Sequence, residues 1–242
     1  MKIPFFKSVI WQLVRQMDWI AILILLGLLA LSVVCIAIIA FKYSLFKKHQ
    51  ILLKKLNQDL NNAKTISDIT IVSKEYKDTL GGKVLVAGIG ELKLIFDKNI
   101  KNKSHALENI EKNADTLMLT TQEIALIEET LGNTIEEQTY NEEMYLPILG
   151  TSAATAPLVG LFGTIWGLIH AFVDISQEKS ADIATVAPGM AEALIVTLAG
   201  LIVAIPALIA FHYFSNELKK ITTQLYHIND RFLHILRHTL IK

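Results

Sequence analysis

Three runs of residues that are almost free of charged side chains constrain this chain more than any other feature. They cover residues 19–41, 144–173 and, with Glu192 and His212 as polar interruptions, 183–214. About 20 helical residues cross the roughly 30 Å hydrocarbon core of a bilayer. The sequence therefore predicts an all-α integral membrane protein with three membrane-spanning helices.

The composition points to the same class of protein. Hydrophobic residues make up 52% of the chain and charged residues 19%, and the mean hydropathy is +0.43, whereas ordinary soluble domains carry about 25% charged residues. The formal net charge is zero, which gives no reason to expect a nucleic-acid partner. The first run is longer than the roughly 7–15 apolar residues of a secretory signal, so we interpret it as a retained anchor.

Basic residues flanking the runs predict the orientation, because they are retained on the cytoplasmic side during insertion. Five lysines follow the first run closely: Lys42, Lys47, Lys48, Lys54 and Lys55. The chain is therefore expected to start outside and to end in the cytoplasm. The predicted order is an outer segment (1–18), a span (19–41), a cytoplasmic helical domain (42–143), a span (144–173), an outer loop (174–182), a span (183–214) and a cytoplasmic C-terminal helix (215–242).

Apolar residues three and four apart predict long packed helices in the cytoplasmic parts. One stripe holds Leu107, Ile110, Ala114, Leu117, Ile124, Leu131 and Ile135, and a second holds Leu218, Ile221, Leu225, Ile228, Phe232 and Ile235. We expect these helices to extend the second and third spans, either as a stalk for oligomers or partners or as ordinary intrachain packing. The domain is expected to be punctuated by glycines, at Gly81, Gly82, Gly88 and Gly90.

Glu192 is the only carboxylate in the third run. A charged group near the middle of a membrane helix costs about 2.5–3.5 kcal/mol on insertion scales, so it marks a functional site by default. Counting inward from the outer loop at the helical rise predicts that Thr164 and Glu192 share a depth, with Thr197 closer to the cytoplasm. These three residues are expected to line a sparse polar path for protons. The alternative is that each threonine bonds its own helix and Glu192 makes one interhelical hydrogen bond.

Small residues form a row on each of the last two runs and predict close helix packing. The rows are Gly160, Gly163, Gly167 and Ala171 on one helix, and Ala193, Thr197, Gly200 and Ala204 on the other. Contact between helices is the ordinary role of such rows. A polar path lined by Glu192 would add a second role.

Two motifs give a more specific indication. Residues 156–167 (APLVGLFGTIWG) and 186–194 (VAPGMAEAL) resemble the TolQ/ExbB proton-channel family of bacterial inner membranes. The similarity is dense over residues 146–215 and only architectural over 42–143. The resemblance implies Glu192 as the membrane glutamate and Thr164 and Thr197 as pore threonines. It also implies a packing or pore-lining role for a further group: Gly160, Gly163, Gly167, Pro188, Gly189 and Gly200.

The resemblance further implies a pentameric ring of this chain around the membrane helices of a TolR- or ExbD-like partner, which supplies an aspartate. Proton passage would move that partner and act on a TolA- or TonB-like protein in the periplasm. His170 favours the TolQ-like branch, since ExbB proteins usually carry asparagine there. An ExbB-type energiser of TonB-dependent uptake is the alternative.

Other classes fit the sequence less well. MotA-like flagellar stators have four spans, and a passive membrane scaffold needs no carboxyl at position 192. An enzyme is not expected, because Gly81-Gly82-Lys83 lacks the spacing of a phosphate-binding loop. His234 and His238 lack a third and fourth metal ligand nearby, so neither a metal nor another cofactor is predicted.

Overall fold

A computed structural model of the chain describes residues 18–106, 119–178 and 183–240. These residues form six helices: α1 (Trp19–Asn62), α2 (Ile66–Glu75), α3 (Leu80–Ala106), α4 (Thr121–Glu143), α5 (Leu146–Glu178) and α6 (Ile183–Leu240). Within the described ranges, α1, α5 and α6 contain the segments that are long and apolar enough to cross a membrane. The predicted all-α class with three candidate spans is therefore confirmed.

The chain divides into two compact units. The membrane unit contains Met1–Lys42 and Tyr145–Phe214, and the extramembrane unit contains Tyr43–Met144 and Ser215–Lys242. The first part of α1, all of α5 and the first part of α6 form the described membrane unit. The later parts of α1 and α6, together with α2, α3 and α4, form the extramembrane unit.

Small residues let α5 and α6 pack with their backbones nearly touching. A Cβ atom added to Gly200 would lie 2.5 Å from the Ala156 carbonyl oxygen, and one on Gly160 would lie 3.0 Å from the Thr197 Cα. Dispersion between close backbones is a main driving force for helix association in lipid. The buried cluster that joins these helices to α1 consists of Ala21, Ile24, Leu28, Ala156, Val196, Val203 and Ala204.

The outward surfaces of the membrane unit are strongly apolar. Leu23, Leu26 and Leu29 on α1 are each 61% exposed, and similar side chains continue along α5 and α6. In water such a surface would be costly, at about 25 cal/mol for each Å² of apolar area. These surfaces suit a helix bundle that meets lipid or other membrane helices.

The extramembrane unit has its own apolar core. Both predicted stripes contribute to it, since Ile127 and Leu131 of α4 and Leu225 of α6 are fully buried. Residues 107–117 of the first stripe lie outside the described residues. The continuous α6 confirms that a helix extends the third span, because it runs without a break from Ile183 to Leu240.

The predicted extension of the second span is wrong, and so is the continuous helix from Leu107. Helix α4 begins at Thr121 because Thr120 and Glu123 form a reciprocal capping box. It ends before Tyr145, which has a φ of 74° and separates α4 from α5. A left-handed conformation costs a non-glycine residue roughly 1–2 kcal/mol, and it stops one helix from continuing into the next.

Four glycines of the extramembrane unit were predicted to interrupt its helices, and this prediction is wrong. All four lie inside α3: Gly81, Gly82, Gly88 and Gly90. Two of them admit neighbouring side chains. A Cβ on Gly81 would lie 2.7 Å from Ile228 Cδ1, and one on Gly88 would lie 2.8 Å from Leu131 Cδ2. Close packing in the core therefore explains these two residues better than chain reversal does.

We expect Gly200→Ala to destabilise the membrane unit by about 1–3 kcal/mol, the usual cost of overpacking. The added methyl group would press on a carbonyl oxygen, which cannot rotate away as a side chain can. Gly27→Ala is the matched control, because its Cβ would meet nothing within 4 Å and alanine favours a helix by up to about 1 kcal/mol. Cys35, buried and the only cysteine, reports unfolding through a thiol-reactive dye during heating. Equal melting temperatures for the two variants would contradict the packing argument.

Candidate functional site

Glu192 lies half-buried on α6 and accepts a hydrogen bond from the residue that precedes α1. Its Oε1 atom is 2.8 Å from the backbone nitrogen of Asp18. Asp18 directly precedes α1, and its carbonyl accepts the first helical bond, from Ile22, at 3.1 Å. Backbone N–H groups at a helix start have no partner within the helix and favour a negative charge. The start of α1 therefore supplies a donor that an isolated α6 would lack.

The side chain of Asp18 contacts two residues of α5. Its Oδ2 atom accepts a hydrogen bond from Trp166 Nε1 at 3.0 Å and lies 3.9 Å from His170 Nε2. The rings of Trp166 and His170 are 5.0 Å apart. Asp18, Trp166, His170 and Glu192 thus form one group, here called the Asp18 cluster, in which side chains from α5 and α6 meet the start of α1.

The two threonines meet each other across the interface between α5 and α6. Thr197 Oγ1 lies 3.0 Å from the Gly160 carbonyl oxygen and 3.3 Å from Thr164 Oγ1. Thr164 donates its own proton to the carbonyl of Leu161, at 2.7 Å. A hydroxyl has one proton and two lone pairs, so Thr164 can only accept here, and the single proton of Thr197 is shared between the Gly160 carbonyl oxygen and Thr164 Oγ1. The pair makes a short polar contact directly beside the glycine row.

The predicted shared depth of Thr164 and Glu192 is wrong. Thr164 lies opposite Thr197, whereas five residues, or about 7.5 Å of helix, separate Thr197 from Glu192. The contact between the rows of small residues on α5 and α6 sets which residues lie opposite each other. Counting the same number of residues along each helix from the predicted outer loop does not give this register. Glu192 instead lies level with Asp18, the residue that precedes the first apolar run. We call this the Asp18 end of the membrane unit.

The alternative interpretation was that each threonine bonds its own helix and that Glu192 makes one interhelical hydrogen bond. It fits Thr164 and Glu192. Thr164 bonds its own helix, and the bond from Asp18 to Glu192 joins α6 to the start of α1. Thr197 differs, because its hydroxyl reaches a carbonyl of the opposite helix. Local bonding alone therefore does not account for Thr197.

The remaining residues implied by the resemblance lie along the same helix contact. A Cβ on Gly167 would lie 3.1 Å from that of Ala193, and one on Gly189 would lie 3.3 Å from that of Ala171. Gly163 faces Val196 in the same way. Pro188 differs, since it lies within α6 with its side chain exposed.

Sequence reasoning missed Asp18 and Trp166 as members of the site. Each carried a usable signal. Asp18 stands immediately before an apolar helix, where aspartate commonly caps, and a tryptophan N–H in an apolar run needs an acceptor. The partners lie 148 and 174 positions apart, however, and no periodicity links residues at such separations.

Comparison with known proteins supports the resemblance. Residues 94–227 match the MotA/TolQ/ExbB proton channel family. The chain is 47% identical over 94 residues to the Tol-Pal system protein TolQ of Pseudomonas aeruginosa and 45% identical over 94 residues to that of Haemophilus influenzae. Each match covers 39% of this chain and 41% of the relative, so the chain spans about two-fifths of the length of these relatives.

A longer match is found with the biopolymer transport protein ExbB of Salmonella typhimurium, at 27% identity over 213 residues. That match covers 86% of this chain and 78% of the relative. The family match contains Thr164, Glu192 and Thr197, whereas Asp18 precedes it. Because it extends over more than half of the sequence, the chain belongs to the MotA/TolQ/ExbB proton channel family.

Proposed function

We propose that this chain is an inner-membrane proton-channel subunit that uses the proton motive force to energise a TolA- or TonB-like protein across the periplasm. The observation that carries the proposal is Glu192, a carboxyl held among membrane helices within the family match. A passive scaffold would gain nothing from such a group, because a carboxylate in a membrane costs free energy.

One glutamate per chain makes a poor relay across a bilayer. We therefore propose that several copies surround a common axis, and the resemblance to the family implies that they number five. A TolR- or ExbD-like subunit with one membrane helix would supply a second acid, an aspartate. The apolar outer surfaces of α1, α5 and α6 are compatible with contacts between membrane helices in such a ring.

In the proposed orientation the Asp18 end faces the periplasm and the C-terminal end of α6 lies in the cytoplasm. The lysines after the first span support this arrangement, since basic residues are retained inside. A proton on Glu192 would then have the pair Thr164 and Thr197 as the next polar groups toward the cytoplasm, about 7.5 Å along α6.

The energy available to each step is modest. One charge that crosses a potential of 100 mV releases about 2.3 kcal/mol. Binding and release at Glu192 must therefore be repeated many times to do mechanical work. A carboxyl is suited to this cycle, because it can bind a proton and release it again.

The TolQ-like branch is the first choice, and two observations support it. The resemblance at His170 favours this branch, and the TolQ proteins of Pseudomonas aeruginosa and Haemophilus influenzae share 47% and 45% identity with this chain over 94 residues. The ExbB branch is the second candidate, favoured by the match that covers 86% of the chain.

Copurification tests the partners and the branch. We expect the tagged chain, extracted from its native membrane in mild detergent, to bring down a minor single-span protein with an aspartate in its membrane helix. A TolA-like companion would indicate the first branch and a TonB-like companion the second. An oligomer that lacks any such partner, even after crosslinking, would contradict the motor and favour a scaffold.

We expect Glu192→Gln to abolish proton flux through the purified complex in liposomes while the complex stays assembled. Glutamine keeps the size of the side chain and can still accept the hydrogen bond from Asp18, so only ionisation is lost. The matched control is Glu129→Gln, which changes an exposed glutamate of α4 in the extramembrane unit. A dye that reports internal pH measures the flux, and size-exclusion chromatography measures assembly. Normal flux in an assembled Glu192→Gln complex would refute the proton-path assignment.

We expect Thr197→Val to lower the free energy of unfolding by about 0.6 kcal/mol, and by no more than about 1.7, the range of hydrogen bonds between membrane helices. Valine keeps the shape but removes the bond to the Gly160 carbonyl. Thr155→Val is the control, because the hydroxyl of this exposed residue bonds its own helix at 2.9 Å.

We also expect partial losses of flux in Thr164→Ala and Thr197→Ala. Wild-type flux in both would leave them as packing residues only.

A further inference from the structure

We propose that His170 and Asp18 form the step by which protons reach Glu192 from the Asp18 end of the membrane unit. The inference rests on the proposed proton-channel function and adds two carriers to it. It is carried by the geometry of the Asp18 cluster, in which Asp18 contacts both His170 and Glu192.

His170 is the most exposed of the three groups, as the entry point of such a route requires. The side chain of His170 is 48% exposed and that of Asp18 is 29% exposed. Glu192 is half-buried among the helices of the membrane unit. A proton arriving from water therefore meets the histidine first.

The hydrogen bond at the other ring nitrogen makes His170 Nε2 the atom that exchanges protons. His170 Nδ1 lies 3.4 Å from the backbone carbonyl oxygen of Trp166. A carbonyl can only accept, so Nδ1 must carry a hydrogen for this contact to be a bond. In neutral histidine Nε2 is then the free acceptor, and it is this atom that faces Asp18 Oδ2. Histidine also changes its charge near neutral pH, unlike any other side chain at its ordinary pKa.

Asp18 contacts both other members of the route, but through different groups. Its carboxylate faces His170, and its backbone N–H donates to Glu192 at 2.8 Å. Trp166 is a positioning residue here, because its indole N–H can donate but cannot pass a proton on under these conditions. By donating to Asp18 Oδ2 at 3.0 Å, it holds that oxygen beside the histidine.

The proton balance is simple and needs no other reactant. Nε2 of His170 binds a proton from water, and that N–H bond then breaks as an O–H bond forms on Asp18. The 3.9 Å between Nε2 and Oδ2 is a separation that one bridging water can cover. A water molecule then carries the proton from the Asp18 carboxyl to the Glu192 carboxylate, because the Asp18 backbone N–H that contacts Glu192 keeps its own hydrogen, and Asp18 returns to its charged form. Each carrier ends as it began, and one proton has moved inward.

Charged groups from both neighbouring helices act on Glu192. Among the residues that the structure describes, these are Asp18 at the start of α1 and His170 on α5. The Asp18 carboxylate opposes the negative charge on Glu192, whereas the Asp18 backbone N–H and a protonated His170 favour it. Protonation of the histidine and ionisation of Glu192 are therefore coupled through space as well as through the relay.

The decisive variant is Asp18→Asn in the complete complex reconstituted into liposomes. Asparagine keeps the backbone N–H that bonds Glu192 and an oxygen that accepts from Trp166, so a purely structural role would survive. We expect flux to fall at least about tenfold, since a positioned proton carrier commonly contributes 10² to 10⁴ in rate. Asp18→Glu, which restores an ionisable group, should recover part of the flux.

His170→Gln adds a readout that packing alone would not change. In the wild type, flux should show an inflection as the pH on the Asp18 side is varied, because His170, the first proposed carrier, has to bind and release a proton. We expect this inflection to disappear in His170→Gln. Trp166→Phe keeps a large ring but loses the donor, and it should lower flux less than Asp18→Asn does.

The outcomes separate the inference from the function on which it rests. If Glu192→Gln conducts normally, the proposed function fails first. If Glu192→Gln is inactive while Asp18→Asn and His170→Gln both show wild-type flux and pH dependence, the relay alone is overturned. Should Asp18→Asn fail to assemble, His170→Gln decides, because His170 is exposed. An unchanged pH profile in that variant would overturn the relay, and loss of the inflection would support it.

Discussion

The close contact between α5 and α6 determines where the polar side chains of the membrane unit lie. Gly160 and Gly200 bring the backbones so near that a single methyl group would collide with the opposite helix. In lipid there is no hydrophobic driving force between helices, so packing of this kind has to hold them together. The same contact sets the register and thereby places Thr197 opposite Thr164 and leaves Glu192 free to meet Asp18.

The start of α1 has a second role in this arrangement. Helix starts present unpaired N–H groups that usually go to a capping side chain or to water. At Asp18 the donor goes instead to the one carboxyl of the third apolar run, and the Asp18 carboxylate turns toward Trp166 and His170. An acidic residue that looks like an ordinary cap in the sequence thus becomes the centre of a polar cluster.

Much of the fold could be predicted from the order of the residues. The apolar runs predicted three spans, and the stripes at helical spacing predicted packed helices whose members, such as Leu131 and Leu225, are fully buried. Two errors have local causes. The capping box at Thr120 starts a helix that the periodicity ran through, and Tyr145 stops α4 before α5 begins. The heptad spacing of apolar side chains contains no information about the backbone angle of a single residue.

Some features of the candidate site could also be predicted from the sequence, and others could not. The identity of Glu192, Thr164 and Thr197 could be read from the chain, because a carboxyl in an apolar run is costly and a dense motif surrounds it. Their neighbours could not be read, since Asp18 and Glu192 are 174 positions apart. Hydrophobic length and helical period are properties of one segment, so residue order is enough to determine them. Register between segments depends on how closely two backbones can approach, and only the packed structure decides it.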